Sequence, residues 1–197
     1  MTLLSATLFA ETNVLVFAGS TREDSYNKKL AREAADLAGK KGAKVTVIDL
    51  KDYPMPFYDA DLEISDGMPE NAKRLRDLMI ESDVILIASP EYNASIPAIL
   101  KNSLDWVSRS EDGTSSRAAF KGKKFGIMSA SPGKGGGARG LAHLRAVIED
   151  VGGEVIQKEV SVPRAYEAFN EKGTLEDSTL SQALKEEIGQ LFQAKKI

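Results

Sequence analysis

The chain has 197 residues, 42% of them apolar and 28% charged, with a formal net charge of −3, a balance that fits one globular domain and lies far from the disordered range. No lysine or arginine cluster stands out, which argues against an extended nucleic-acid surface. Cysteine is absent, so disulfides, thiol catalysis and cysteine-ligated zinc or iron–sulfur clusters are excluded, and any redox chemistry must belong to a bound group.

Residues 1–12 read as an extension ahead of the first strand. They are mildly apolar, lack the positive start of a signal peptide and are too short to span a bilayer. No other segment approaches about eighteen uninterrupted apolar residues, so no membrane association is expected and a cytoplasmic location is the plain reading.

From residue 13 to residue 197, short apolar runs alternate with helical stripes, the pattern of a single α/β domain with a parallel sheet covered on both faces. Strands are expected at 14–18, 45–48, 84–88, 125–130 and 155–160. Leu30, Ala34, Leu37 and Ala38 share one face of the first helix, and Leu75, Leu78 and Met79 share one face of the second. Pro97 suits a first helical position, with Leu100, Leu104 and Val107 as the buried stripe behind it. Leu141, Leu144 and Ile148 mark a fourth helix, closed by Gly152 and Gly153, and Leu180, Leu184, Ile188 and Leu191 mark the last.

Runs 14–18 and 84–88 are unbroken and apolar, as central parallel strands buried on both faces must be, whereas 45–48 and 155–160 carry polar residues and read as edges. This is the strand order 2-1-3-4-5 of the flavodoxin-like fold, five parallel strands with helices on both faces. Its switch point lies between the first and third strands, where ligands bind at the carboxyl ends of the sheet.

Two loops leave those central strands. In the first, Ser20, Thr21 and Ser25 offer hydroxyls, Asn27 an amide and Arg22 a charged fork, beside the free N–H groups of a helix start. It carries neither the glycine spacing of a dinucleotide fold nor a Walker lysine, so a terminal monophosphate fits best, with an ordinary capped turn as the alternative reading. The acidic pair Glu23 and Asp24 would oppose a phosphate unless both side chains point away. In the second loop, Pro90 and Pro97 stiffen the backbone, Tyr92 offers an aromatic face, and Asn93 and Ser95 offer polar contacts. Glu91 can act through its backbone while its carboxylate faces another element, such as a partner subunit. A phosphate at one end and a flat ring at the other describe flavin mononucleotide, FMN.

A third stretch, 129–137, leaves the fourth strand on the same side and contains Ser129, Ser131 and Gly133; its glycines permit either close approach to a ligand or simple flexibility. The proline-stiffened segment 53–58 reads as a pocket wall, a subunit contact or core, and Trp106 as packing. His143 is the sole histidine and lacks triad partners, so it reads as structural, and no metal-ligand spacing is present.

Gly19, Ser20, Arg22, Ser25 and Asn27 match the G-S-x-R-x-x-S-x-N loop, and Pro90 through Trp106 match P-E-Y-N-x-S-x-P-x-x-L-K-N-x-x-D-W, of the NADPH-dependent FMN reductases, a family of flavodoxin-like quinone, chromate and azo-dye reductases. The resemblance runs from about Asn13 to the fifth strand. It implies that Ser20, Arg22, Ser25 and Asn27 hold the phosphate and that Pro90, Glu91, Tyr92 and Asn93 hold the ring, with residues 129–137 bordering it. It also implies NADPH or NADH as co-substrate, hydride transfer to FMN and then electron transfer to quinones or similar acceptors, and assembly as a homodimer or homotetramer with residues 54–58 at the contact; both substrates using one open face in turn predicts ping-pong kinetics. A flavodoxin-type electron carrier, slow with free NAD(P)H, and a flavin-free interaction protein are the rival readings.

Overall fold

The computed structural model describes residues 11–192. Most of the expected extension, residues 1–10, therefore lies outside the described residues. In chain order the elements are β1 (Asn13–Ala18), α1 (Tyr26–Lys40), β2 (Lys44–Asp49), α2 (Ala60–Asp66), α3 (Glu70–Glu81), β3 (Val84–Ala88), α4 (Ala98–Val107), β4 (Lys124–Ala130), α5 (Ala138–Asp150), β5 (Glu154–Val155), β6 (Val160–Val162), α6 (Ala165–Ala168) and α7 (Ser178–Leu191). A 3-10 turn, Leu50–Asp52, follows β2. The sheet is parallel throughout, in the order β2-β1-β3-β4-β5, with β6 also beside β4. This is the flavodoxin-like order expected from strand polarity.

Alternation along the central strands divides the core into two faces. Val14, Val16, Leu86, Ala88 and Met128 pack under α1 and α7, where Leu30, Ala34 and Ala38 meet Leu184, Ile188 and Leu191. Leu15, Phe17, Ile85, Ile87, Phe125 and Ile127 pack under α3, α4 and α5 through Leu75, Met79, Leu100, Leu104, Leu141, Leu144 and Ile148. Each such large side chain contributes about 1.5–3 kcal/mol on burial, so both stripes hold their helices more firmly than propensity alone. Leu37, Leu78 and Leu180 lie at stripe margins and are half-buried.

Differences from the expected elements have local causes. The fifth strand divides, because the guanidinium of Arg145 takes the carbonyls of Val155 (3.2 Å) and Ile156 (2.7 Å) and pulls the chain out of the ladder until Val160. β5 then pairs with the start of β4 and β6 with its end. Pro97 is the N-cap rather than the first residue of α4. α5 ends as expected at Gly152, with φ +94°, and the N–H of Gly153 reaches back to the carbonyl of Ile148 at 2.9 Å. α2 was not anticipated.

Segment 53–58 is pinned to α4. The carbonyl of Pro56 accepts from Asn102 Nδ2 (2.9 Å) and Trp106 Nε1 (2.8 Å), and the N–H of Tyr58 donates to Asn102 Oδ1 (2.7 Å). Trp106 is fully buried and meets the Tyr58 ring edge-on, so it packs as expected. Glu63 of α2, also buried, takes a two-pronged bond from Arg109, which fixes the short helix to the chain after α4. Phe57 is left 75% exposed.

Candidate active site

Parallel register sets Ala18, Ala88 and Met128 side by side at the carboxyl ends of β1, β3 and β4, so the loops that follow emerge together. The N–H of Gly19 donates to the carbonyl of Ala88 (2.9 Å) and that of Ser89 to Met128 (2.8 Å), continuing the ladder one step into the loops. Leu100 of α4 lies under Gly19, where an added Cβ would stand 3.0 Å from its Cδ2, so the first loop and α4 are in close contact.

In the first loop Ser25 caps α1, its hydroxyl accepting the N–H of Lys28 at 3.4 Å, and Ser20 Oγ accepts the N–H of Arg22 at 3.3 Å. Both serines are buried, while Thr21 and Arg22 are exposed. Among the described residues, no hydrogen bond engages the N–H groups of Thr21, Glu23, Asp24, Tyr26 and Asn27, and no ion pair engages the Arg22 guanidinium. Together they make a donor-rich cradle at a helix start, the chemistry of a phosphate site. The two acids are turned aside: Glu23 pairs with Lys51 at 3.0 Å and Asp24 with Lys29 at 2.7 Å. These lysine hydrogen bonds, then their charges, hold both carboxyls below the ordinary range. Lys28 is committed elsewhere, to Asp49 at 2.5 Å.

Asn27 is buried and faces the third loop. Its Nδ2 donates to the carbonyl of Ala130 and its Oδ1 accepts the N–H of the same residue. Its observed role is to tie the first loop to the end of β4, a partner that sequence alone did not indicate.

The second loop is a tight turn in which Tyr92 and Ser95 exchange backbone hydrogen bonds of 2.9 and 3.0 Å across Asn93 and Ala94, both left-handed with φ of 50° and 64°. Such non-glycine strain concentrates at ligand-binding turns. Pro90 is buried; Tyr92 and Asn93 face solvent. The Glu91 carboxylate meets α5 of the same chain: Oε2 accepts the N–H of Gly140 (3.0 Å) and Oε1 accepts from Arg139 (2.7 Å). α5 has no capping side chain of its own, because Gly137 occupies the N-cap, and Glu91 supplies the missing acceptor. The Gly140 N–H, helped by Arg139 and opposed by burial, lowers the Glu91 carboxyl below its ordinary value. One turn further along α5, His143 Nδ1 lies 3.0 Å from Ser95 Oγ, so the second loop is latched to α5 at both shoulders. Arg139, Gly140 and His143 gave no signal in the sequence as partners of this loop.

In the third loop Ser131 Oγ accepts the N–H of Gly133 (3.1 Å), and Ser131 and Gly133 lie toward the surface. Ser129 belongs to β4 instead; its hydroxyl is fully buried without a hydrogen-bond partner. Gly137, at φ +89°, covers it so closely that a Cβ there would stand 1.9 Å from Ser129 Oγ. Only glycine fits that corner. First, second and third loops are thus joined, by Asn27 to Ala130 and by Glu91 to α5, into one rim at the sheet end, along which Arg22, Tyr92, Asn93 and Gly133 are exposed.

The family profile described as NADPH-dependent FMN reductase matches residues 12–167. The chain belongs to this family. An NAD(P)H-dependent FMN reductase of Pseudomonas aeruginosa is 32% identical over 179 residues, 90% of this chain and 92% of that protein. A quinone reductase of Pseudomonas putida is 34% identical over 172 residues, covering 85% of this chain and 86% of the relative. Among solved structures, FerB of Paracoccus denitrificans, a flavoenzyme NAD(P)H:(acceptor) oxidoreductase, superposes with a TM-score of 0.77 at 30% identity over 91% of this chain and 94% of its own. Among the described residues no helix is long and apolar enough to cross a membrane, and no group of acidic or histidine side chains could hold a metal ion.

Proposed function

We propose that this member of the NADPH-dependent FMN reductase family holds FMN across the rim and serves as an NAD(P)H-dependent quinone reductase. The observation that carries the reading is the first loop, where an unpaired guanidinium and open N–H groups converge after both neighbouring carboxylates have been drawn off by lysines. FMN, when bound, would supply the hydride- and electron-accepting chemistry that no side chain of this cysteine-free protein offers.

The chain's own part is binding and orientation. Ser20, Thr21, Arg22 and Ser25, with the α1 start, hold the phosphate, and Asn27 fixes that loop from beneath. Pro90, Glu91, Tyr92 and Asn93 present backbone and aromatic surface to the ring, with Ser131 and Gly133 on its border and Ser129 seated below. The rim's open side admits a nicotinamide and then an acceptor in turn, which gives ping-pong kinetics; the acceptors are planar oxidants such as quinones, with azo dyes, chromate and free flavin as further candidates. The working unit is residues 13–197, cytoplasmic and assembled as a homodimer or homotetramer. Initial rates at several fixed quinone concentrations test the sequence of events: parallel reciprocal lines support it, and intersecting lines contradict it.

A further inference from the structure

A cavity of about 610 Å³ opens beside the third loop, on its β6 side, bounded by Lys134, Arg164, Glu167, Glu176, Asp177 and Leu180. Among the described residues Arg164 is one of three non-glycine residues at positive φ, and it stands at φ 45°, ψ 49°. Its N–H donates to the carbonyl of Gly133 at 3.2 Å, and its carbonyl accepts from Glu167 at 2.7 Å. Those are backbone bonds that glycine or asparagine would make in the same conformation with less strain. What arginine alone adds is its guanidinium. That group is loosely held, 3.8 Å from Glu167, with both side chains 57% exposed. Lys134, next to Gly133, is exposed and has no hydrogen bond or ion pair among the described residues.

The cavity's carboxylates have other duties. Glu176 accepts from Asn170 at 2.9 Å, and Asp177 caps α7 by accepting the N–H of Leu180 at 2.9 Å. Glu167 is the one that holds the guanidinium, and weakly. Two cations of free orientation thus stand at the mouth of a half-apolar cavity next to the loop that borders the ring.

We propose that Lys134 and Arg164 form the subsite for the 2′-phosphate of NADPH, with the adenosine in the cavity between them and Leu180. The assignment rests on the function proposed above, which sets the nicotinamide of the same molecule over the rim. Arginine offers a fork and lysine a point charge, a pairing suited to a dianionic phosphate ester. On binding, the phosphate takes Glu167's place on Arg164.

Steady-state kinetics of the FMN-loaded protein with NADPH and NADH test the subsite in Lys134→Ala/Arg164→Asn, a pair whose asparagine tolerates the left-handed backbone. Loss of the charged contacts raises the ratio of KM for NADPH to KM for NADH about tenfold, and Glu167→Gln lowers KM for NADPH. A ratio that stays within about twofold, or an equal rise in both constants, overturns the proposal. Calorimetric titration without flavin chemistry gives an independent reading: adenosine 2′,5′-bisphosphate binds the wild type more tightly than adenosine 5′-monophosphate, and the double variant loses the difference. If the two nucleotides bind the wild type equally, the subsite is overturned. A wild type that oxidises neither NADPH nor NADH overturns the reductase reading instead, while the calorimetric comparison still decides the subsite.

Discussion

Asn27 and Ala130, 103 positions apart, exchange two hydrogen bonds, Nδ2 to carbonyl at 2.8 Å and N–H to Oδ1 at 2.9 Å. The pair spans the sheet end from α1 to β4 and turns two separate loops into one rim. Asn27→Ala leaves a buried N–H and a buried carbonyl unpaired, each costing about 1–3 kcal/mol. The urea midpoint should fall by an amount equivalent to about 2–4 kcal/mol, and FMN binding should weaken with it.

Arg22 behaves in the opposite way. Its side chain is exposed and unpaired, so Arg22→Ala should leave the urea midpoint within about 0.5 kcal/mol of wild type. Loss of a charge-assisted bond to phosphate, about 1.5–3 kcal/mol, should raise the FMN dissociation constant by one to two orders of magnitude. Fluorescence titration measures it, and an unchanged constant removes Arg22 from the phosphate cradle.

The Glu91 latch predicts a pH dependence. Its folded carboxyl titrates below the ordinary 4.5, chiefly because of the Gly140 N–H, so its contribution is present above that value and lost as pH falls through the lower folded value. Glu91→Gln should therefore be less stable than wild type at neutral pH, by about 1 kcal/mol. The gap should close under acid, as read from denaturation midpoints across pH. A gap that is constant with pH would contradict the latch.

Glu187 of α7 titrates in the other direction. Both its oxygens are buried beside Gly126, and burial first, then the charge of Glu159, raise its carboxyl well above 4.5, against weaker pulls from Lys158 and the backbone N–H of Ile127. A neutral folded acid stabilises the protein fully below the unfolded value, and that stability is lost as pH rises toward the folded one. Glu187→Gln keeps the shape without the proton, so its melting temperature should match wild type near pH 4 and exceed it increasingly at higher pH.

Sequence patterns showed the strand order because burial on both faces leaves a mark: runs 14–18 and 84–88 have no polar residue, and these became the central β1 and β3. They also placed Arg22 and Tyr92 at one end of the sheet. α2 escaped because seven residues hold too few turns for a 3.6-residue period to show, and its hold on the fold comes from Glu63 meeting Arg109, 46 positions away. The break between β5 and β6 depends on one guanidinium from α5, and the Glu91 latch on a backbone N–H that looks like any other in sequence. The Glu91 carboxylate, expected to face another element such as a partner subunit, faces α5 of its own chain. Polar contacts of long range carry no periodicity, and they are what closes this rim.

FMN held by the rim and reduced there by NAD(P)H is the central claim, and a visible spectrum tests it most directly. Protein reconstituted with FMN and freed of excess should stay yellow at near-stoichiometric flavin content, and anaerobic NADPH should bleach it within the mixing time of a turnover experiment. A colourless protein after reconstitution, or a yellow one that NADPH and NADH both leave oxidised, would contradict it.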